Sequence, residues 1–187
     1  MVVGAPMNEI ELQNMMFTAW KHQEGPFAIR YPRGASAGLD RNQHYEQLHP
    51  GKGRKLKEGD DIAILSYGTI GNEALKAVEQ LEEQGIDVGH YDLRYVKPLD
   101  TDLIDEIASS YKHLITVEDG ARLGGFGSAV AEYLMQTSNR PGMTILGVPD
   151  RIVEHGTQPE LYHEVGIDAE AIAEEVKEAV AVLPDTV

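Results

Sequence analysis

The chain has 187 residues, no cysteine and a formal net charge of −15. That charge excludes nucleic acid and anionic membrane surfaces as main partners, because both need a basic footprint. The lack of cysteine excludes disulfides and thiolate metal sites.

A compact chain of this length would bury roughly 70% of its unfolded surface, enough for a core without staples. No window approaches the roughly 20 apolar residues of a membrane span, and no basic leader opens the sequence, so a soluble, cytoplasmic protein is expected. Residues 1–35 read as strand, helix, strand. Asn8 can cap a helix with Glu11 three residues later, in the manner of a capping box. Leu12, Met16, Ala19 and Trp20 then make one apolar stripe at helical spacing. Residues 27–31 follow as a strand, stopped by Pro32 and Gly34. Two strands and one helix cannot bury a core of their own, so 1–35 is expected to be the tail of a larger domain. Residues 36–50 lose all periodicity and are expected to form a linker.

A second unit is expected over 51–187. Residues 51–56 can pair back, through the Glu58-Gly59-Asp60 turn, onto the apolar strand 62–65 as an edge hairpin. Thr69 can cap a helix with the stripe Ala74, Leu75, Val78 and Leu81, ended by Gly85. Residues 86–93 read as a strand. The helix after Asp100 places Leu103, Ile104, Ile107, Ala108 and Tyr111 on one face. Strand 114–117 leads through a glycine-rich turn to a helix carrying Phe126, Ala129, Val130, Tyr133 and Leu134. Strand 144–148 is the last. Thr157 and Glu160 form a capping box, and Asp168 caps a terminal helix with the stripe Ile172, Val176, Ala179, Val180 and Leu183. Alternating elements with apolar strands predict an α/β fold. Its form is a three-layer α/β/α domain, with a mostly parallel sheet of about five strands and one antiparallel edge strand.

Several clusters can carry chemistry. Arg30 and Arg33 flank a turn fixed by Pro32 and Gly34, and a guanidinium there suits a phosphate or carboxylate. From the residues alone the expectation is instead an Arg that ties the linker down through carbonyls or an Asp, and strand alternation puts Arg30 and Tyr31 on opposite faces. The glycine-rich turn 119–128 can cradle a phosphate on free N–H groups, or its glycines can let the helix pack closely. Its spacing matches neither the dinucleotide fingerprint nor the P-loop. Arg94 and Lys97 at a strand's end can bind an anion, or pair internally with Glu118, Asp119 or Asp150; in an acidic chain pairing is the expectation. His155 beside Glu154 is a weak acid–base pair. His44 and His49 have no ligand partner at useful spacing, and Ser66 and Ser128 lack the nucleophile-elbow pattern.

Several blocks align with one family. They are Ala5-Pro6-Met7-Asn8-Glu9, Ile29-Arg30-Tyr31-Pro32-Arg33-Gly34, residues 64–68, residues 92–100, Thr116-Val117-Glu118-Asp119 with Gly124-Gly125-Phe126-Gly127-Ser128, and residues 149–161 with Gly166-Ile167-Asp168. Together they resemble the C-terminal part of the 1-deoxy-D-xylulose-5-phosphate synthase family, thiamine-diphosphate enzymes of the transketolase class. Block 149–161 is the segment that singles this family out. The 92–100 and 124–128 patterns also resemble transketolase and the beta subunit of 2-oxoacid dehydrogenases.

The resemblance implies a reaction of pyruvate with D-glyceraldehyde 3-phosphate, with thiamine diphosphate and Mg2+ in the full-length enzyme. It implies that Arg33 binds the substrate phosphate. It also implies that 1–35 is the end of a pyrimidine-binding domain and 51–187 a transketolase C-terminal-like domain. The family's diphosphate and magnesium motif and its activating Glu have no counterpart here. The expected chain is therefore a truncated or cleaved product that binds no cofactor alone. It would be inactive by itself, with a structural role, and partnered by the missing N-terminal portion in a homodimer. A small-anion-binding module and a 2-oxoacid dehydrogenase beta subunit are the alternatives.

Overall fold

The structure is a computed structural model that describes residues 1–34, 38–39 and 44–183; parts of the expected linker and the last four residues lie outside it. Strand β1 (Val2–Gly4), helix α1 (Glu9–Lys21) and strand β2 (Phe27–Ile29) open the chain. Strands β3 (Arg54–Lys57) and β4 (Ile62–Tyr67), helix α2 (Gly71–Glu82), and strands β5 (Gly89–Asp92) and β6 (Tyr95–Lys97) follow. Helix α3 (Thr101–Ser110), strand β7 (His113–Ala121), helix α4 (Phe126–Leu134), strand β8 (Gly142–Val148), and helices α5 (Gln158–Val165) and α6 (Ala169–Val182) complete it.

The large sheet has the order β3-β5-β4-β7-β8, all parallel except β3. Period-two alternation along β4 divides the core. Ile62 and Ile64 face α2 and α6, where Val78, Leu81, Ile172 and Val176 are buried. Ala63, Leu65 and Tyr67 face α3 and α4, against Ile104, Ile107, Phe126 and Val130. Each such aliphatic side chain contributes roughly 1.5–3 kcal/mol on burial, so these two layers dominate stability. The predicted three-layer architecture and antiparallel edge strand are present.

Four local expectations need correction. The first is the edge hairpin: β3 pairs with β5, not with β4. The crossover through α2 brings β5 beside β4, and the chain from β3 must pass over the start of β5. Gly59 makes that passage, since a Cβ there would lie 2.2 Å from the Gly89 nitrogen. The second is α2, which has no side-chain cap from Thr69 and leaves Leu75 facing outward. The third is α6, where Ala173 is buried and Val180 is exposed.

The fourth is the buried face of α1. Asn8 caps it, with its Oδ1 accepting from the Glu11 N–H at 3.0 Å. Glu11, Asn14, Met15 and Thr18 are the buried residues, while Met16 and Trp20 are 57% and 77% exposed. The polar face is buried because it is satisfied. Asn14 Oδ1 accepts from the Glu46 N–H (2.9 Å) and Thr18 Oγ1 from the Leu48 N–H (2.8 Å), so residues 46–48 dock along the helix.

The small sheet, β2-β1-β6, was only partly foreseeable. β1 and β2 pair in parallel around α1, and β6 adds antiparallel to β1. β6 lies within the second predicted unit, so the backbone itself ties the two segments together. Val2, Met15, Leu48 and Tyr95 bury a separate small core there.

Candidate functional site

The turn after β2 carries both Arg30 and Arg33. The Arg30 N–H donates to the Gly4 carbonyl at 2.9 Å, so the strand register extends one residue beyond β2. Its guanidinium reaches the far end of β7, where Nη1 donates to Asp119 Oδ1 and Nη2 to the Asp119 carbonyl at 2.9 Å. Asp119 also accepts from the Tyr162 hydroxyl of α5 at 3.2 Å, and Gln158 Nε2 donates to that hydroxyl at 2.8 Å. Burial, with the Asp119 charge beside it, pushes the Tyr162 phenol up to about 12. It therefore stays a neutral donor at physiological pH. Arg30 is thus a tether between the sheets and not a free ligand group.

Arg33 sits three residues on, exposed, and makes no hydrogen bond or ion pair to another described residue. Its neighbours Tyr31, Pro32 and Gly34 line a cleft of about 780 Å³, with Met7 and Leu75 on its apolar walls and Tyr162 and Gln158 across from the turn. Arg33 stands on the rim of this cleft and is not part of its lining. The segment 149–161 is exposed over most of its length, with Ile152 92% exposed. It reaches the cleft only where it enters α5. Its capping box is present, with Glu160 Oε2 accepting from the Thr157 N–H at 2.9 Å.

The glycine-rich turn is already filled. β7 runs through Glu118, whose buried carboxylate accepts from the Gly127 N–H at 3.0 Å, at the start of α4. Burial pushes the Glu118 carboxyl up, opposed by the N–H groups of Gly127 and Phe126. Ser128 Oγ accepts from the Gly124 N–H and donates to the Arg122 carbonyl, both at 3.0 Å. A Cβ on Gly127 would lie 2.5 Å from both Ile145 Cγ2 and Thr116 Oγ1. Close packing is what Gly125 and Gly127 serve here, and an anion at the start of α4 would have to displace Glu118.

Arg94 pairs internally, but with a different partner from those expected. Its Nε and Nη2 donate to the two Glu11 oxygens at 2.7 and 2.9 Å. Arg54 donates to Glu11 Oε1 at 3.0 Å and to Asp92 Oδ2 at 3.1 Å. Lys97 is exposed on β6. His155 and Glu154 are exposed, as are His44 and His49, and no cluster of three metal-ligating side chains occurs among the described residues. Sequence reasoning missed the roles of Glu11 and Asp119. The signal for Asp119 was its place at the end of a parallel strand, opposite a strand that ends in Arg.

Ser66 and His90 form a fully buried pair, Oγ to Nε2 2.9 Å, shut away from any substrate. Burial, with Arg54 nearby, lowers the His90 pKa to about 4. A lowered folded-state value means that the fold favours the neutral ring. The contribution is full above pH about 6.5 and is lost as pH falls toward about 4, roughly 3 kcal/mol in all. Urea unfolding at pH 7.5 and 4.5 is expected to show this loss, and His90→Gln should flatten it. An equal acid loss in both proteins would contradict the assignment.

Comparison with known proteins gives a consistent result. The family model described as transketolase, C-terminal domain, matches residues 51–172. The 1-deoxy-D-xylulose-5-phosphate synthase of Parabacteroides distasonis is 48% identical over 177 residues, which is 95% of this chain and 28% of that protein. The synthase of Bacteroides thetaiotaomicron is 43% identical over 186 residues, 99% of this chain and 29% of that protein. The chain therefore spans under a third of the length of these relatives. Among solved structures, a split-gene transketolase described as an inactive beta4 tetramer superposes with a TM-score of 0.80 at 29% identity, over 97% of this chain and 57% of that one. A Pichia stipitis transketolase mutant in complex with fructose 6-phosphate reaches 0.67 at 21% identity, over 96% of this chain and 25% of that one, a likeness of fold alone.

Proposed function

Because the chain belongs to the transketolase C-terminal domain family, we propose that it is the C-terminal part of a cytoplasmic 1-deoxy-D-xylulose-5-phosphate synthase. The whole enzyme would join pyruvate to D-glyceraldehyde 3-phosphate with loss of carbon dioxide. What carries this reading is the reach of the similarity, which at 48% identity takes in 95% of the chain, more than the family model covers. The small sheet adds support. β1 and β2 are a parallel pair with α1 on one face, Ala28 exposed on the other, and β2 at an open edge. Parallel sheets are normally covered on both faces, so this one fits the margin of a larger domain.

In this reading Arg33 binds the phosphate of the aldehyde substrate, as an exposed guanidinium on a turn held by Arg30 and Pro32. Thiamine diphosphate with Mg2+ would supply the carbanion chemistry when bound to the whole enzyme. The described residues do not fit that group. No three His, Asp or Glu among them converge on one point, and the carboxylates of Glu11, Asp92 and Asp119 are committed to arginines. The preceding polypeptide would hold the cofactor, and this chain contributes structure, contacts within a homodimer, and Arg33. Product formation by the chain joined to the N-terminal portion of a relative tests the proposal.

A further inference from the structure

We infer that Asp119 is a positioning residue that sets the phosphate-binding turn, an inference that rests on the reading of Arg33 above. Three observations converge on this carboxylate. Arg30, three residues before Arg33, spends both of its terminal nitrogens on Asp119, one on the side chain and one on the carbonyl. Tyr162 of α5, itself part of the cleft lining, donates to the other side-chain oxygen. Asp119 itself is only 10% exposed at its side chain and lies at the carboxyl end of β7.

The bond pattern makes Asp119 a link between the turn after β2 and α5, both of which contribute residues to the cleft. The turn 31–34 leaves the small sheet, and α5 packs on the large sheet. Between them stand Oδ1, which holds Arg30, and Oδ2, which holds Tyr162. A carboxylate with both oxygens engaged is fixed in rotation, and a guanidinium held at two nitrogens is fixed in plane. The backbone on either side of Arg30 therefore has little freedom, and the Arg33 guanidinium is presented at a set place on the rim. Without the Asp119 charge, Arg30 would be a half-exposed cation beside Arg33. It could then swing toward the incoming phosphate or let the turn drift. Either change alters phosphate recognition and leaves the pyruvate end of the reaction untouched.

The experiment uses the full-length enzyme that carries this chain, assayed with each substrate varied in turn. Asp119→Asn is expected to raise the KM for D-glyceraldehyde 3-phosphate about 10-fold, less than the roughly 100-fold that a full 1 Å misplacement can cost. The KM for pyruvate should stay within about twofold, and Asp119→Glu should recover part of the loss. Tyr162→Phe, which keeps the Arg30 pair, is expected to have the smaller effect. A merely structural role would lower the melting temperature and kcat and leave the ratio of the two KM values unchanged; that result overturns the inference. If the unsubstituted enzyme forms no product from these substrates, the proposed function itself fails and the inference falls with it. Normal turnover with an unmoved KM ratio in Asp119→Asn removes the positioning role alone.

Discussion

Glu11→Ala is expected to destabilise the chain by about 3–5 kcal/mol, the cost of breaking a buried ion cluster from one side. Glu11 is 4% exposed and accepts three hydrogen bonds from two arginines. Arg94, the more buried of the two, has its side chain 14% exposed, and its guanidinium would lose the carboxylate that takes two of its N–H groups. Arg54 would keep Asp92, whose own carboxyl is pushed up by burial even with that arginine beside it. Surface ion pairs contribute about 0–1 kcal/mol and weaken with salt, so magnitude separates the two cases. The loss should be read as a fall in the urea midpoint, nearly unchanged between low and high salt. Because Glu11 lies on α1 and both arginines lie in the following unit, the variant should also expose the 21–34 segment to protease first. A loss under about 1 kcal/mol would mean that the cluster is not what holds α1 in place.

Arg33→Ala has the opposite profile. The residue is exposed and bonded to no other described residue, so folding stability should change by no more than about 0.5 kcal/mol. In the full-length enzyme the KM for D-glyceraldehyde 3-phosphate is expected to rise about 10- to 100-fold. That is the range for losing a charge-assisted hydrogen bond of about 1.5–3 kcal/mol. Pyruvate kinetics should be spared, and Arg33→Lys should restore only part of the affinity, since a point charge replaces a bidentate fork. An unchanged KM for the phosphate substrate would remove Arg33 from the site.

The large domain was legible because its signals are local. Residues 62–65 of β4 and most of 114–117 in β7 are apolar, Asp100, Thr157 and Asp168 sit where helix starts demand acceptors, and Gly85 follows α2 with φ 78°. Period and caps need only neighbours in sequence. The errors fall where distant partners decide. The face of α1 was assigned by counting apolar residues, yet Glu11 and Thr18 are buried because Arg54, Arg94 and the Leu48 N–H meet them from 43, 83 and 30 residues away. The hairpin was assigned because β3 and β4 are adjacent in sequence, while the crossover through α2 decides which strand reaches the edge. The same limit applies at the site. Arg33 rests on resemblance to a family, and the 89-residue span from Arg30 to Asp119 leaves no local pattern.

The most direct test is product formation by a single polypeptide that joins this chain to the N-terminal portion of the Parabacteroides distasonis relative. With thiamine diphosphate and Mg2+ it is expected to release carbon dioxide from pyruvate and form 1-deoxy-D-xylulose 5-phosphate only when D-glyceraldehyde 3-phosphate is present. The chain by itself is expected to form none. Turnover by the chain alone, or a folded, cofactor-loaded chimera that makes no product, would contradict the account.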